Sequence, residues 1–309
     1  MSADAVSADG LPGVPADYFG RVARRLESAH CWVEVLANGG PRVLRMGLTG
    51  GSNLFAETPA VSWDGGHGRY DLLGGHRFWF APESDDCSVP DQEGLTLSAI
   101  GDAAGPALRM VGGFEAPMGL RRTIEIRLDP DAAALSLRHV LKNEGSRTLQ
   151  YAPWPITQFR LGGVAVLPLP SGDETPSISP NQLVVLWPYT SGTDDRLDIG
   201  DHRITVKARA DKPVKVGCLS AIGIAGYLVD GLLVVLRFDP ARAATHADLG
   251  CNLEVYCDDR TIELESLGPL ATLGPGQSVI HDERWEIREV GLGMDVDAAE
   301  ALLREIARA

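Results

Sequence analysis

The residues best placed to do chemistry lie near the end of the chain. Asn252-Leu253-Glu254-Val255-Tyr256 and Thr261-Ile262-Glu263-Leu264-Glu265 each alternate polar and apolar, and Cys257-Asp258-Asp259-Arg260 between them has the composition of a turn. With those four residues as the loop, Tyr256 faces Thr261, Glu254 faces Glu263 and Asn252 faces Glu265. Side chains alternate with period two, so these six share one face, and Leu253, Val255, Ile262 and Leu264 line the other. Three carboxylates on one small patch repel each other, which raises the pKa of at least one toward the range of a general base. Strand pairs of this kind more commonly turn the polar face to water, and spacing alone favours that outer placement. The functional reading depends on which face it is.

A second cluster is Gly74-Gly75-His76-Arg77-Phe78-Trp79-Phe80. On a strand, Arg77 and Trp79 point one way while His76, Phe78 and Phe80 point the other. A guanidinium beside an indole suits a sugar, whose ring stacks on Trp while its hydroxyls take the fork of donors. The plainer alternative makes Trp79 core, pairs Arg77 with an acid and leaves His76 a satisfied core histidine. His139 shares a face with Leu135, Leu137 and Leu141 on one arm of a hairpin around Asp129-Pro130-Asp131. It is either buried and hydrogen-bonded or, if that face lines a cleft, a proton donor. His67 lies in a glycine-rich loop within reach of a ligand, or simply solvated. Trp154, between two prolines, and Leu186-Trp187-Pro188-Tyr189 offer aromatic platforms or plugs at the ends of a sandwich. Lys215 sits between valines in a strand, where a surface lysine is the default.

The elements that must position these residues read as almost entirely β. Short apolar or alternating runs recur at 76–81, 95–100, 107–111, 120–128, 134–142, 148–152, 164–169, 183–187, 203–208, 214–218, 226–229 and 232–238. Thirty-five glycines and twenty prolines punctuate them, as in a sandwich or barrel. Cys31–Leu36 and 41–46 read as a first hairpin, and residues 19–26 are ambiguous between helix and strand. Helical spacing is convincing only at the end, where Ala299, Leu302, Leu303 and Ile306 form a stripe behind Asp295 or Asp297 as a cap. The expected organisation is a flexible tail over 1–15, one large β domain over 16–290 and a helix over 291–309.

Composition bounds the partners. The 309 residues are 44% hydrophobic and 23% charged, an ordinary globular composition. A net charge of −14 argues against nucleic acid or anionic membrane as a partner. No apolar run approaches the roughly twenty residues that cross a bilayer. The acidic start, Met1 to Gly13, has no basic or apolar segment of a signal peptide. Cys31, Cys87, Cys218, Cys251 and Cys257 form no Cys-x-x-Cys pair and are expected to be free thiols in a reducing cytoplasm. The sequence has no phosphate-cradling glycine loop, no Gly-x-Ser-x-Gly elbow and no paired histidines on a helix, so neither cofactor nor metal is expected.

With these residues in hand, the chain resembles the galactose mutarotase-like superfamily, and within it a bacterial branch of DUF4380-type proteins. The similarity spreads over about residues 30–288. It is carried by Leu73-Gly74-Gly75-His76-Arg77, Leu141-Lys142-Asn143-Glu144-Gly145-Ser146, Ala152-Pro153-Trp154, Leu186-Trp187-Pro188-Tyr189 and Asn252–Tyr256. Glu263-Leu264-Glu265-Ser266-Leu267-Gly268-Pro269 and His281-Asp282-Glu283-Arg284-Trp285 complete it. The resemblance implies a β-supersandwich of large antiparallel sheets whose concave face holds a carbohydrate or similar metabolite, in a monomer or homodimer. It further implies a late-strand Glu, Glu265 or Glu263, as base at an anomeric hydroxyl, with Arg77 holding sugar hydroxyls. Trp79, Trp154, His67, Asn252, Glu254 and Lys215 join as substrate contacts. Where epimerases of the superfamily place a catalytic His, this chain has Ala152-Pro153-Trp154, so His139, His67 or His76 must supply the acid from a different position or the acid is missing. Two alternatives stay open: a non-catalytic carbohydrate-binding or sensing protein, and an isomerase- or lyase-like enzyme on another polar metabolite.

Overall fold

The computed structural model describes residues 13–90, 94–100, 105–170 and 178–308. The expected all-β architecture is what forms: two large antiparallel sheets, of twelve and ten strands, face each other. The larger sheet runs through Gly68–Ala81, Leu149–Arg160, Thr261–Ser266, Leu253–Cys257 and Val214–Cys218 in that spatial order. At the centre of the other sheet, Ser278–Glu289 lies between Leu232–Phe238 and Ala134–Asn143. One continuous core fills the space between the sheets, including Phe78, Phe80, Phe159, Leu135, Leu137, Ile262, Leu264 and Trp285. Because alternate side chains face opposite ways, each central strand of the large sheet sends one set of residues into this core and the other set outward.

The ambiguous stretch near residue 19 is a strand, Arg21–Glu27, hydrogen-bonded to both Val14–Tyr18 and Cys31–Leu36. Pairing overrides its helical spacing. Val14 and Pro15 therefore belong to the sheet rather than to a tail, and residues 1–12 lie outside the described residues. The helix forms where expected, Val296–Arg308, with the Asp295 carboxylate accepting the Ala298 N–H at 2.8 Å. Ala299, Leu303 and Ile306 cover Val166, Ile224, Leu233 and Val235 on the outer face of the ten-stranded sheet.

The late hairpin differs from its expected register. Leu253–Cys257 and Thr261–Ser266 pair with Glu254 opposite Glu265 and Tyr256 opposite Glu263. Asp258 tightens the turn: its Oδ1 accepts the Arg260 N–H at 2.8 Å and the Thr261 N–H at 2.9 Å, while its own N–H bonds the Thr261 carbonyl at 3.1 Å. The loop is thus the two residues Asp259 and Arg260, not four. The slip is two positions, so every side chain keeps its face.

Leu73, Gly74 and Gly75 interrupt Gly68–Ala81 with φ of 63°, 88° and 68°. A Cβ on Gly75 would lie 2.1 Å from the Val43 carbonyl oxygen, so only glycine fits there. Across the kink Tyr70 meets a side chain of the opposite sequence parity: the Trp79 Nε1–H donates to the Tyr70 hydroxyl at 3.0 Å.

Candidate functional site

The polar face of the late hairpin does not meet bulk water. It forms the wall of a pocket of about 600 Å³ on the side of the large sheet that faces away from the core. Arg77, Trp79, Trp154, Gln158, Lys215, Tyr256, Glu263 and Glu265 come from five adjacent strands, and Trp63, Glu83, Trp187, Tyr189 and Arg260 close the rim. The expectation that spacing favoured, a solvated outer face, fails: Glu265 and Glu254 are 0% exposed and Glu263 is 7%, and Val61 and Trp63 of Glu57–Gly65 line the same pocket with Trp187 and Tyr189.

Two ion-pair systems organise the wall. The Arg77 guanidinium donates to Glu263 Oε1 at 3.3 Å and stacks on the Trp79 ring at 4.5 Å. The Gln158 amide donates to the same Glu263 oxygen at 2.6 Å. Burial raises the Glu263 pKa and Arg77 opposes the rise. Beside it, Lys215 Nζ lies 2.8 Å from both Glu265 Oε2 and Glu254 Oε2 and 4.7 Å from the ring centres of Trp154 and Trp187. Burial would lower the Lys215 pKa, but Glu265 and Glu254 outweigh it and hold the ammonium well above its usual value. One ammonium cannot neutralise two buried carboxylates. Burial, with Glu265 and Asp248 adding to it, therefore pushes Glu254 well above the usual carboxylate range despite Lys215. The Trp154 indole N–H donates to Glu265 Oε2 at 2.8 Å, and Glu265 Oε1 has no hydrogen-bond partner.

The structure brings together Arg77, Trp79, Trp154, Lys215, Glu263 and Glu265, with Glu254 immediately behind Lys215. It does not bring the others to them. Asn252 is consumed as a clamp: its Oδ1 accepts the Ser220 N–H at 2.6 Å and its Nδ2 donates to the Ser220 and Pro240 carbonyls. His67 pairs with Asp86 at 2.6 Å and lines a separate, smaller cleft with Pro41, Phe114 and Glu115. His76 and His139 lie inside the core, on the far side of the sheet from the pocket, because their parity on their strands points them at the opposing sheet. No histidine is among the pocket-lining residues.

Between the sheets these histidines form a polar cluster that sequence reading did not assemble. His76 Nε2 meets His139 Nε2 at 2.8 Å, and His76 Nδ1 meets the Thr157 hydroxyl at 3.0 Å. Next to them, the Ser266 hydroxyl is 2.6 Å from Glu283 Oε1 and 2.7 Å from His281 Nε2, and the Trp285 indole N–H donates to Glu283 Oε2 at 3.2 Å. Burial lowers His139 to about 3 and His281 to about 4, so both rings are neutral at pH 7, and burial raises Glu283 to about 7. The alternation His281-x-Glu283-x-Trp285 was a readable signal of one inward face. Gln158, four residues after Trp154 and on the same strand face, was equally within reach of a period-two count.

The two-sheet architecture is that of the galactose mutarotase-like sandwich. No protein-family profile and no curated protein matches the sequence. Among solved structures, the chain is similar to a TPR-domain containing protein from Parabacteroides distasonis, with TM-score 0.62 and 14% identity over 90% of this chain; it spans 48% of that longer protein. It is also similar to a candidate aldose 1-epimerase from Escherichia coli K12, with TM-score 0.53 and 14% identity over 86% of this chain and 99% of that one. A galactose mutarotase-like protein from Lactobacillus casei follows, with TM-score 0.51 and 11% identity over 86% and 100%. At these identities the likeness is one of fold. No helix among the described residues is long and apolar enough to cross a membrane.

Proposed function

We propose that the pocket binds a carbohydrate and acts at its anomeric centre, with Glu265 as the base. The observation that carries this reading is the pairing of an indole wall with a carboxylate that keeps one oxygen unengaged: Trp154 and Lys215 both hold Glu265 Oε2, leaving Oε1 to accept a proton. The Lys215 ammonium, 2.8 Å from Glu265 Oε2, fixes the carboxylate's orientation in the pocket wall. Arg77, fixed by Glu263 and Trp79, offers its fork to ring hydroxyls, and Trp79 and Trp154 offer apolar faces to the ring carbons. Glu265 takes the proton of the anomeric hydroxyl, the bond from the anomeric carbon to the ring oxygen breaks, and the open aldehyde recloses on either face. The leaving ring oxygen needs a proton, and His76 and His139 are walled off from it. In this reading the Lys215 ammonium stabilises the developing negative charge and water supplies the proton.

The test is anomer exchange measured by NMR or polarimetry on a panel of free aldoses. Wild type accelerates exchange of at least one sugar, and Glu265→Gln lowers that rate by about 10²–10⁴-fold. Equal rates for the two proteins across the panel would sink the catalytic assignment.

The lack of a pocket histidine specifically favours a second reading, a binding or sensing protein that uses the same wall without turnover. Saturable sugar binding, with exchange no faster than in buffer, distinguishes it.

A further inference from the structure

The cluster between the sheets has a feature that a closed hydrogen-bond network does not explain. Glu283 is 3% exposed and the neighbours that hydrogen-bond it are the neutral groups Ser266 and Trp285; among the described residues no lysine or arginine pairs with it. A buried carboxylate without a countercharge is costly. Close to it are His76 and His139, both 0% exposed, and one ligand atom from each of the three residues lies within 4.8 Å of the other two.

The tautomers can be assigned from the partners. His139 Nδ1 lies 3.1 Å from the His281 backbone carbonyl, which only accepts, so Nδ1 carries the hydrogen and Nε2 presents a bare lone pair. His76 Nε2 must then donate to it across 2.8 Å, and the Thr157 hydroxyl donates to His76 Nδ1. The two Nε2 atoms thus meet each other within 4.8 Å of a Glu283 oxygen, with Nδ1 anchored outward to a carbonyl in one case and a hydroxyl in the other. That outward anchoring is how protein frameworks orient metal-ligating histidines, and the carboxylate is held in the same manner by Ser266 and Trp285.

We propose that His76, His139 and Glu283 form a buried structural site for a divalent metal ion of the zinc class. Two imidazole nitrogens and a carboxylate suit zinc, with bonds of about 2.0–2.2 Å that small side-chain movements supply. On binding, the hydrogen on His76 Nε2 passes to Nδ1, where Thr157 changes from donor to acceptor; both histidines stay neutral, and the divalent ion supplies the countercharge that Glu283 lacks, leaving the site cationic. The ion joins Gly68–Ala81 of one sheet to Ala134–Asn143 and Ser278–Glu289 of the other. Since the site is sealed in the core, the ion enters as the chain folds and exchanges slowly afterwards. Sequence alone led to the opposite expectation, no metal, because the three ligands stand far apart in the chain.

The experiment uses the full chain without a polyhistidine tag, unfolded with chelator, refolded with Zn²⁺ or Co²⁺ and gel-filtered. Elemental analysis is expected to find about one zinc per chain, and the cobalt protein to show the visible absorption of an ion bound by nitrogen and oxygen. Glu283→Gln is expected to reduce bound metal to background. Ser266→Ala is expected to weaken zinc by about 10–100-fold in competition with a chelating dye. Wild type that refolds and carries no metal above a buffer control overturns the proposal, as does metal content unchanged by Glu283→Gln. If that variant does not fold, the cobalt spectrum of wild type decides alone.

Discussion

Lys215 is the residue on which the charge balance of the pocket wall turns. It faces two carboxylates, so removing it and removing one of them have opposite consequences. Lys215→Met leaves Glu254 and Glu265 buried without a cation and is expected to cost about 3–5 kcal/mol. Glu254→Gln leaves a one-to-one pair and is expected to cost far less, or to stabilise. Urea midpoints for the two variants check the ordering, and equal losses would contradict it. The buried thiols make a second prediction at this scale. Burial raises Cys87 and Cys257 to about 11 and Cys218 to about 12, from an ordinary value of 9.0. Below pH 9 the folded and unfolded chains both hold these protons, so nothing changes. Above it the unfolded chain releases them first, and stability falls by up to about 1.4 kcal/mol per pH unit per thiol. Urea midpoints at about pH 8 and about pH 10 should show the fall, with a shallower slope in Cys218→Ala.

At the scale of the element, the kink at Gly74 and Gly75 fixes which side of the large sheet each residue of Gly68–Ala81 occupies. Gly75→Ala would force a Cβ against the Val43 carbonyl and is expected to cost at least about 2 kcal/mol. Gly276, with φ of 81° and no atom within 4 Å of its virtual Cβ, has the same backbone without the contact, and its alanine variant should lose only about 1 kcal/mol. Thermal melts of the two compare contact with conformation. Strand existence and face were legible here because period two is written in the sequence: Arg77 and Trp79 fell on one side, His76 and Phe78 on the other, and both assignments hold. Register was not legible, because the hydrogen bonds of Asp258 set the turn and no pattern of apolar residues distinguishes a two-residue slip. The identity of the wet face was not legible either. It depends on residues distant in sequence, such as Val61, Trp63, Trp187 and Tyr189, which line the pocket with the carboxylates that spacing alone would leave in water.

For the whole molecule, the helix Val296–Arg308 is a cover. It seals Val166, Ile224, Leu233 and Val235, which would otherwise form an apolar stripe on the outside of the smaller sheet. A chain lacking residues 296–308 is expected to melt at lower temperature and to self-associate, as read by light scattering; a monodisperse truncated chain with the wild-type melting temperature would show that the helix is dispensable.

The large sheet also separates two environments by the thickness of one strand. Arg77 and His76, Gln158 and Thr157, Glu265 and Ser266 are neighbours in sequence, and in each pair the first faces the pocket and the second the core. The pocket lining can therefore change by point replacement on the open side while the interior stays as it is. Insertion or deletion of a single residue in these strands is a different kind of change, since it would trade guanidinium for imidazole across the partition and spoil both compartments together. Descendants of this chain should accordingly vary in their pocket side chains yet keep the lengths of these three strands.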